Sequence, residues 1–110
     1  MRPRILPLVS ATVLACLVLT NPAQAQTDAA KTYKTNCELC HGPDGSGNTG
    51  PGKAFHAQDL RSADTQRQSD AALTEVITKG RGKMPAFGAK LKPEDITKLV
   101  AYIRTLAAKK

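Results

Sequence analysis

Cys37, Cys40 and His41 form the segment whose residue types and spacing carry the most specific chemistry in the chain. The pattern Cys-x-x-Cys-His is the attachment signature of c-type haem. On a helical turn, residues three apart lie on the same face, so both sulfurs can reach the two vinyl groups of one porphyrin. His41 follows directly and offers its imidazole to the iron from that face. The segment therefore predicts one haem c, bound through two thioethers and ligated by His41.

A Cys-x-x-Cys pair can also form half of a zinc site, a redox-active dithiol or a disulfide. A Cys-rich zinc site needs a second pair of thiols, and beyond this pair the chain holds only Cys16. A thioredoxin-like dithiol needs a βαβ context, which the sequence does not predict. Haem attachment is the favoured interpretation, with a redox dithiol and a disulfide as the alternatives.

Residues 1–25 carry the features of a secretory signal peptide. The first four residues include two arginines. An apolar run follows over 5–19, and an Ala-x-Ala cleavage signal ends at Ala25. The run is shorter than the roughly 20 apolar residues of a membrane-spanning helix. We predict cleavage near Ala25/Gln26, export to the periplasm or a similar compartment, and a single domain over 26–110.

The predicted domain has too few apolar residues for a large core. Removal of the leader leaves 85 residues, with 14 Lys and Arg against 9 Asp and Glu, a net charge of +5. Its aromatic residues are only Tyr33, Phe55, Phe87 and Tyr102. Domains of this size often need an additional element to stabilise them. A buried porphyrin would supply the missing apolar mass.

A second axial ligand has two candidates, because low-spin electron-transfer haems generally use Met or His. Outside the predicted leader, Met84 is the only methionine and His56 is the only other histidine. Met84 lies in a Lys-Met-Pro-Ala-Phe loop that is bounded by Gly82 and Gly88, which allow close approach to a ring. We predict Met84 as the ligand. His56 is the alternative ligand, and an ordinary core methionine is the alternative interpretation of Met84.

The elements that position these residues are predicted to be helices and loops, without strands. Residues 26–36 and 69–80 have helical patterns, the second with Ser69 as N-cap and Gly80 as C-cap. The last helix has Pro93 at its first position, Lys92 as a poor N-cap and one apolar stripe. The remaining segments are predicted to be a loop over 42–52, an irregular stretch with one helical turn over 53–68, and a loop over 81–88. The fold class is a small all-α domain of three or more helices.

The sequence resembles the class I cytochromes c over nearly the whole predicted domain. The resemblance rests on Cys37-x-x-Cys40-His41, on Gly50-Pro51, on Met84-Pro85-Ala86-Phe87 and on the terminal amphipathic helix. It implies terminal helices that cross over the haem, with Tyr33 against the face of Leu99 and Tyr102. It also implies that the Pro51 carbonyl accepts a hydrogen bond from His41 Nδ1. Gly52 and Lys53 depart from the family here, since an apolar residue often follows that proline.

Ligation by His41 and Met84 leaves no open position on the iron, which predicts a one-electron carrier and not an enzyme. Apolar residues around the ring, together with the thioether, are expected to favour Fe(II); these residues are Leu39, Leu60, Leu73, Ile77, Leu99 and Ile103. One alternative is a haem-bearing subunit of a larger oxidoreductase, and a weaker one is a gas-binding or peroxidatic haem protein. A lipid-anchored form is weaker still, because residues 13–16 resemble a lipoprotein cleavage box only loosely.

A run of five basic residues without an acid brackets the predicted Met84 ligand. We predict that it steers an acidic redox partner toward the haem edge and raises the association rate more than the affinity. The alternative interpretation is a solvated loop, and nucleic acid is not expected as a partner of an exported protein. The five residues, called the basic rim below, are Lys79, Arg81, Lys83, Lys90 and Lys92.

Overall fold

A computed structural model describes residues 3, 7, 13–17, 19 and 21–109 of the chain. Within them the secondary structure is helical, and the only β-type pairing is an isolated bridge between Arg81 and Met84. The predicted all-α class is confirmed. In this part of the chain, no helix combines the length and the apolar character that crossing a membrane requires. The helices are α1 (Pro22–Asn36), α2 (Glu38–His41), α3 (Gly50–Phe55), α4 (Ala63–Gln66), α5 (Asp70–Lys79) and α6 (Pro93–Leu106).

Helix α5 begins and ends where its capping residues predict, and helix α6 begins at the predicted Pro93. The Ser69 side chain accepts a hydrogen bond from the Ala72 N–H at 3.1 Å, and Gly80 ends α5 with a φ of 74°. Lys92 caps α6 without a side-chain hydrogen bond, and Pro93 opens the helix. The apolar stripe of α6 is buried and forms the centre of the core; it consists of Ile96, Leu99, Val100, Ile103 and Leu106.

Helix α1 crosses α6, as predicted, and the contact is aromatic. The rings of Tyr33 and Tyr102 have centroids 5.0 Å apart and an interplanar angle of 46°. Tyr33 is 1 % exposed and packs in the same cluster as Leu99. The helix starts earlier than predicted, because Asn21 accepts a hydrogen bond from the Ala23 N–H and Pro22 is well suited to a first turn.

The predicted leader is described only in part, since residues 1, 2, 4–6, 8–12, 18 and 20 lie outside the described residues. Its predicted end falls inside α1, where Ala25 and Gln26 are helical. The signal peptide and its cleavage site therefore stay predictions.

The expected loop over 42–52 is wrong at its end, because α3 begins at Gly50. Thr49 caps this helix by accepting a hydrogen bond from the Gly52 N–H at 2.8 Å, and its hydroxyl donates to the Leu39 carbonyl at 2.8 Å. A side chain at position 52 would collide with the carbonyl oxygen of Cys40. The glycines that indicate a loop in the sequence thus serve close packing of α3 against α2. The helical turn expected within 53–68 is α4.

Candidate haem site

One cavity of about 420 Å³ lies between the helices, and four of the five predicted site residues meet in its walls. Cys37, Cys40, His41 and Met84 all line it. The apolar residues expected around the ring also line it; they are Leu39, Leu60, Leu73, Ile77, Leu99 and Ile103. The chain therefore brings two thiols, an imidazole and a thioether to one apolar cavity.

The attachment segment is a continuous helical path from α1 into α2. The N–H of Cys37 donates to the Tyr33 carbonyl at 2.8 Å, and the N–H of His41 donates to the Cys37 carbonyl at 2.9 Å. The Tyr33 hydroxyl then donates to the Gly42 carbonyl at 2.7 Å and closes the far end of the segment. These bonds fix the direction of Cys37, Cys40 and His41 relative to the core.

Both cysteines of the pair are half-buried free thiols. Burial raises the pKa of Cys37 to about 11, and the neighbouring Cys40 acts in the same direction. The Cys37 thiol is therefore protonated at neutral pH.

His41 is presented as a neutral ligand with one ring nitrogen already engaged. Its Nδ1 lies 3.0 Å from the carbonyl oxygen of Gln58 and donates to it in the tautomer that leaves Nε2 free. Burial lowers the pKa of His41, and the Gln58 hydrogen bond opposes this in part. A neutral imidazole held by a second hydrogen bond is the usual form of a histidine ligand.

The acceptor predicted for His41 is wrong: the carbonyl is that of Gln58 and not that of Pro51. Pro51 occupies the first turn of α3, where backbone carbonyls are directed along the helix axis. It is also absent from the residues that line the cavity. His56 makes the change of direction possible, because it ends α3 with a φ of 56° and turns the chain toward Gln58.

Met84 is held by a short glycine-bounded loop. The N–H of Arg81 donates to the Met84 carbonyl at 3.1 Å, and the N–H of Met84 donates to the Arg81 carbonyl at 3.0 Å. Gly80 precedes this turn and Gly82 lies within it, with φ values of 74° and 58°. The loop is tied to α5 beyond Met84, where the N–H of Phe87 donates to the Ile77 carbonyl at 2.9 Å.

His56, the alternative ligand, also lines the cavity, but its surroundings differ from those of Met84. Its side chain is exposed, whereas Met84 is half-buried and packs against the core cluster. A ligand to a buried iron is better supported by the packed side chain, and this favours Met84.

The residues present fit a haem better than a bare metal ion. Among the described residues, no group of three or more His, Cys, Asp and Glu side chains is placed to hold a metal ion. The cavity instead combines apolar walls with one imidazole, one thioether and two free thiols. This donor set matches a porphyrin that is attached through sulfur and ligated on two sides.

The five residues of the basic rim are all exposed, and two of them, Arg81 and Lys83, also line the cavity. Within the part of the chain that the structure describes, Lys79 alone of the five forms an ion pair, with Glu75 at 3.1 Å, and both side chains are largely exposed. Such a surface pair contributes little to stability.

Two residues of the site carry no sequence signal. Gln58 acts through its backbone carbonyl, which every residue type has, so no residue type would have indicated it. Asn36 lines the cavity beside Cys37, and its buried Oδ1 has no hydrogen-bond partner. An asparagine at a helix end is ordinarily interpreted as a capping residue.

Comparison with known proteins gives a consistent result. Residues 24–103 match the family model described as cytochrome c oxidase, cbb3-type, subunit III. The chain is 34 % identical over 82 residues to cytochrome c6 of Microcystis aeruginosa, with 74 % of this chain and 98 % of that protein covered. It is 36 % identical over 94 residues to the cbb3-type cytochrome c oxidase subunit FixP of Azorhizobium caulinodans, where 80 % of this chain but only 31 % of that protein is covered.

The solved structure of the KustC0563 c-type cytochrome has the same fold. It aligns with a TM-score of 0.67 and 34 % sequence identity, and the alignment covers 72 % of this chain and 96 % of that one.

Proposed function

The chain belongs to the small class I c-type cytochromes, which bind haem c covalently and transfer electrons, and from this premise we propose that His41 and Met84 are the two axial ligands of its iron. The observation that supports this most directly is the presence of both side chains, with both thiols, in the walls of one apolar cavity.

Each part of the chain has a distinct task in this function. Cys37 and Cys40 would hold the haem through thioethers, and His41, whose Nδ1 is engaged by the Gln58 carbonyl, would offer Nε2 to the iron. Met84 would supply the second protein ligand. The apolar walls exclude water and stabilise Fe(II), as the thioether ligand does, so the reduction potential is expected toward the positive side for haem proteins. The haem itself supplies the one-electron chemistry.

Peptide mapping of the holoprotein tests the attachment. We expect one haem on the peptide that contains Cys37 and Cys40, and its survival in acid–acetone extraction. Haem that is extracted, or a disulfide between the two cysteines, would contradict this assignment.

Docking of redox partner proteins at the basic rim is part of the proposal. Four of its five residues have no ion pair among the described residues, and Arg81 and Lys83 line the cavity itself, so part of this positive charge lies at the proposed haem site. A cationic rim accelerates encounter with an acidic partner and does so less at high salt.

The doubly substituted variant Lys83→Glu/Lys90→Glu tests this steering. We expect slower electron transfer with an acidic partner and a weaker dependence of the rate on salt. Lys31→Glu/Lys34→Glu, the same change of charge at two exposed positions of α1, is the matched control and should leave both unchanged. Equal rates in all three proteins would contradict docking at the basic rim.

We also propose that the protein works in an exported compartment after cleavage near Ala25/Gln26. The signal-peptide pattern supports this, and N-terminal sequencing of the mature protein tests it. Gln26 as the first residue is the expected result; a chain that still begins at Met1 would contradict it.

A subunit of a larger oxidoreductase is a second candidate function, favoured by the match to the cbb3-type subunit III family and to FixP. Haem staining of a native gel of cell extracts distinguishes a free carrier from a subunit of a complex. A small free species is expected for a carrier, and a band at the size of a large complex for a subunit.

A further inference from the structure

Asn36 is the one residue of the cavity wall whose buried polar atom has no hydrogen-bond partner. Its Oδ1 is inaccessible to solvent and unpaired, the single such side-chain atom in the part of the chain that the structure describes. An unpaired buried carbonyl costs stability, and such groups in folded proteins generally have a specific reason. Asn36 directly precedes the haem-binding Cys37, so the reason is sought in the haem site.

The orientation of the Asn36 side-chain amide follows from the hydrogen bond that its NH2 group makes. Its Nδ2 donates to the Thr32 carbonyl of the preceding helical turn at 2.9 Å, so the NH2 group faces back onto α1. The carbonyl end therefore points away from that helix. Asn36 is also three residues after the fully buried Tyr33, which places both on the inward face of α1. The negative end of the amide dipole is thus directed into the interior.

We propose that Asn36 tunes the reduction potential: its uncompensated side-chain carbonyl stabilises Fe(III) and lowers the potential of the haem. The interior has a low dielectric constant, so a bare partial charge there acts strongly on a neighbouring centre whose charge changes by one. The apolar walls and Met84 favour Fe(II), and Asn36 opposes them. The inference rests on the proposed haem ligation by His41 and Met84.

Two variants of nearly equal size separate a dipole from a packing role. In Asn36→Leu the carbonyl is lost, and we expect the ratio of Fe(II) to Fe(III) at a fixed potential to rise about three- to tenfold; a tenfold change is about 59 mV for a one-electron couple. In Asn36→Asp a negative charge is added, and the potential should fall, more at high pH than at low pH. If Asn36 acted only by packing, the two variants would not shift the reduction potential in opposite directions.

The matched control is Asn48→Leu, the same change at an exposed asparagine that does not line the cavity. Its potential should equal that of the unmodified holoprotein. The Met–iron charge-transfer band is recorded for every protein. Its absence from the unmodified protein would contradict the proposed ligation, whereas its presence throughout with unchanged potentials would overturn this inference alone.

Two further outcomes also decide the matter. A band lost only in Asn36→Leu would show that Asn36 holds the Met84 ligand in place, which overturns the dipole explanation. If Asn36→Leu yields no holoprotein, the Asn36→Asp variant still gives the sign: a lower potential supports the inference, and a higher or equal one contradicts it.

Discussion

The two segments that contain the proposed axial ligands are built in different ways. Residues 33–41 form a helical path in which the backbone of Cys37 is bonded at both N–H and carbonyl, and the Tyr33 hydroxyl closes its end at Gly42. Residues 80–88 form a loop whose shape depends on two glycines with positive φ and on one pair of backbone bonds around Met84.

This difference indicates which of the two proposed ligands is held less firmly by the protein. The His41 side has helical backbone bonds and the Gln58 carbonyl, and two thioethers would hold it further. The Met84 side has one pair of backbone bonds at the ligand itself and the packing of its thioether against the core, while Phe87 and Gly88 tie the end of the loop to α5. Segments with few buried contacts open at low free-energy cost. When the protein is destabilised, the Met84 ligand is therefore expected to dissociate before His41.

His41→Ala should have the largest effect. The variant loses the iron ligand on the fixed side together with the bond to Gln58, and cofactor binding contributes directly to folding in small domains. We expect almost no low-spin holoprotein, as measured by haem absorbance per unit of purified protein. Holoprotein with an unchanged low-spin spectrum would show that His41 is not a ligand.

Met84→Ala should leave the haem attached and change only its axial position. The Met–iron band of the oxidised form should disappear, the potential should fall, and carbon monoxide should bind to the reduced form. His56→Ala is the control and should keep the band. The reverse pattern, with the band lost only in His56→Ala, would exchange the two assignments.

Gly80→Ala probes the loop without touching the ligand. A Cβ at this position would lie 2.6 Å from the Met84 carbonyl oxygen, and the φ of 74° is unfavourable for alanine. We expect a loss of about 2 to 3 kcal/mol, measured as an earlier loss of the Met–iron band in a denaturant titration.

Gly82→Ala is the matched comparison in the same loop. It has a φ of 58° but no neighbouring atom within 4 Å, so only the backbone strain of about 1 kcal/mol remains. Equal effects of the two substitutions would contradict the close packing of the loop around Met84.

His56 tests the His41 side through the turn that leads to Gln58. His56→Gly accepts the φ of 56° and should leave stability within about 0.5 kcal/mol of the original, whereas His56→Val is strained there by about 1 to 2 kcal/mol. Strain in the valine variant should also disturb the bond from His41 to Gln58 and shift the potential. Identical potentials and stabilities would show that the turn at His56 does not position Gln58.

The parts of the fold that were predictable are those in which a single residue type has one physical use. Ser69, Gly80 and Pro93 mark helix ends because a hydroxyl cap, a positive φ and a missing N–H each fit one position. Cys37, Cys40 and His41 were predictable for the same reason, since their spacing fits one chemistry. The position of Met84 in the cavity wall agrees with its selection by elimination, although its ligation stays a prediction.

The parts that were not predictable depend on contacts distant in sequence or on backbone atoms. Gly50-Pro51-Gly52 is typical of a loop, yet Thr49 and the close approach to Cys40 make it helical. The acceptor for His41 is a carbonyl, which all residues share, so Pro51 could not be distinguished from Gln58 by sequence. Asn36 became informative only when the partners of its amide were known.

The most direct test of the central claim is the absorption spectrum of the holoprotein, oxidised and reduced, with and without carbon monoxide. Ligation by His41 and Met84 predicts covalent haem, a Met–iron band in the oxidised form and no spectral change with carbon monoxide. Covalent haem that lacks the band and binds carbon monoxide rapidly would contradict the claim and favour a gas-binding or peroxidatic protein.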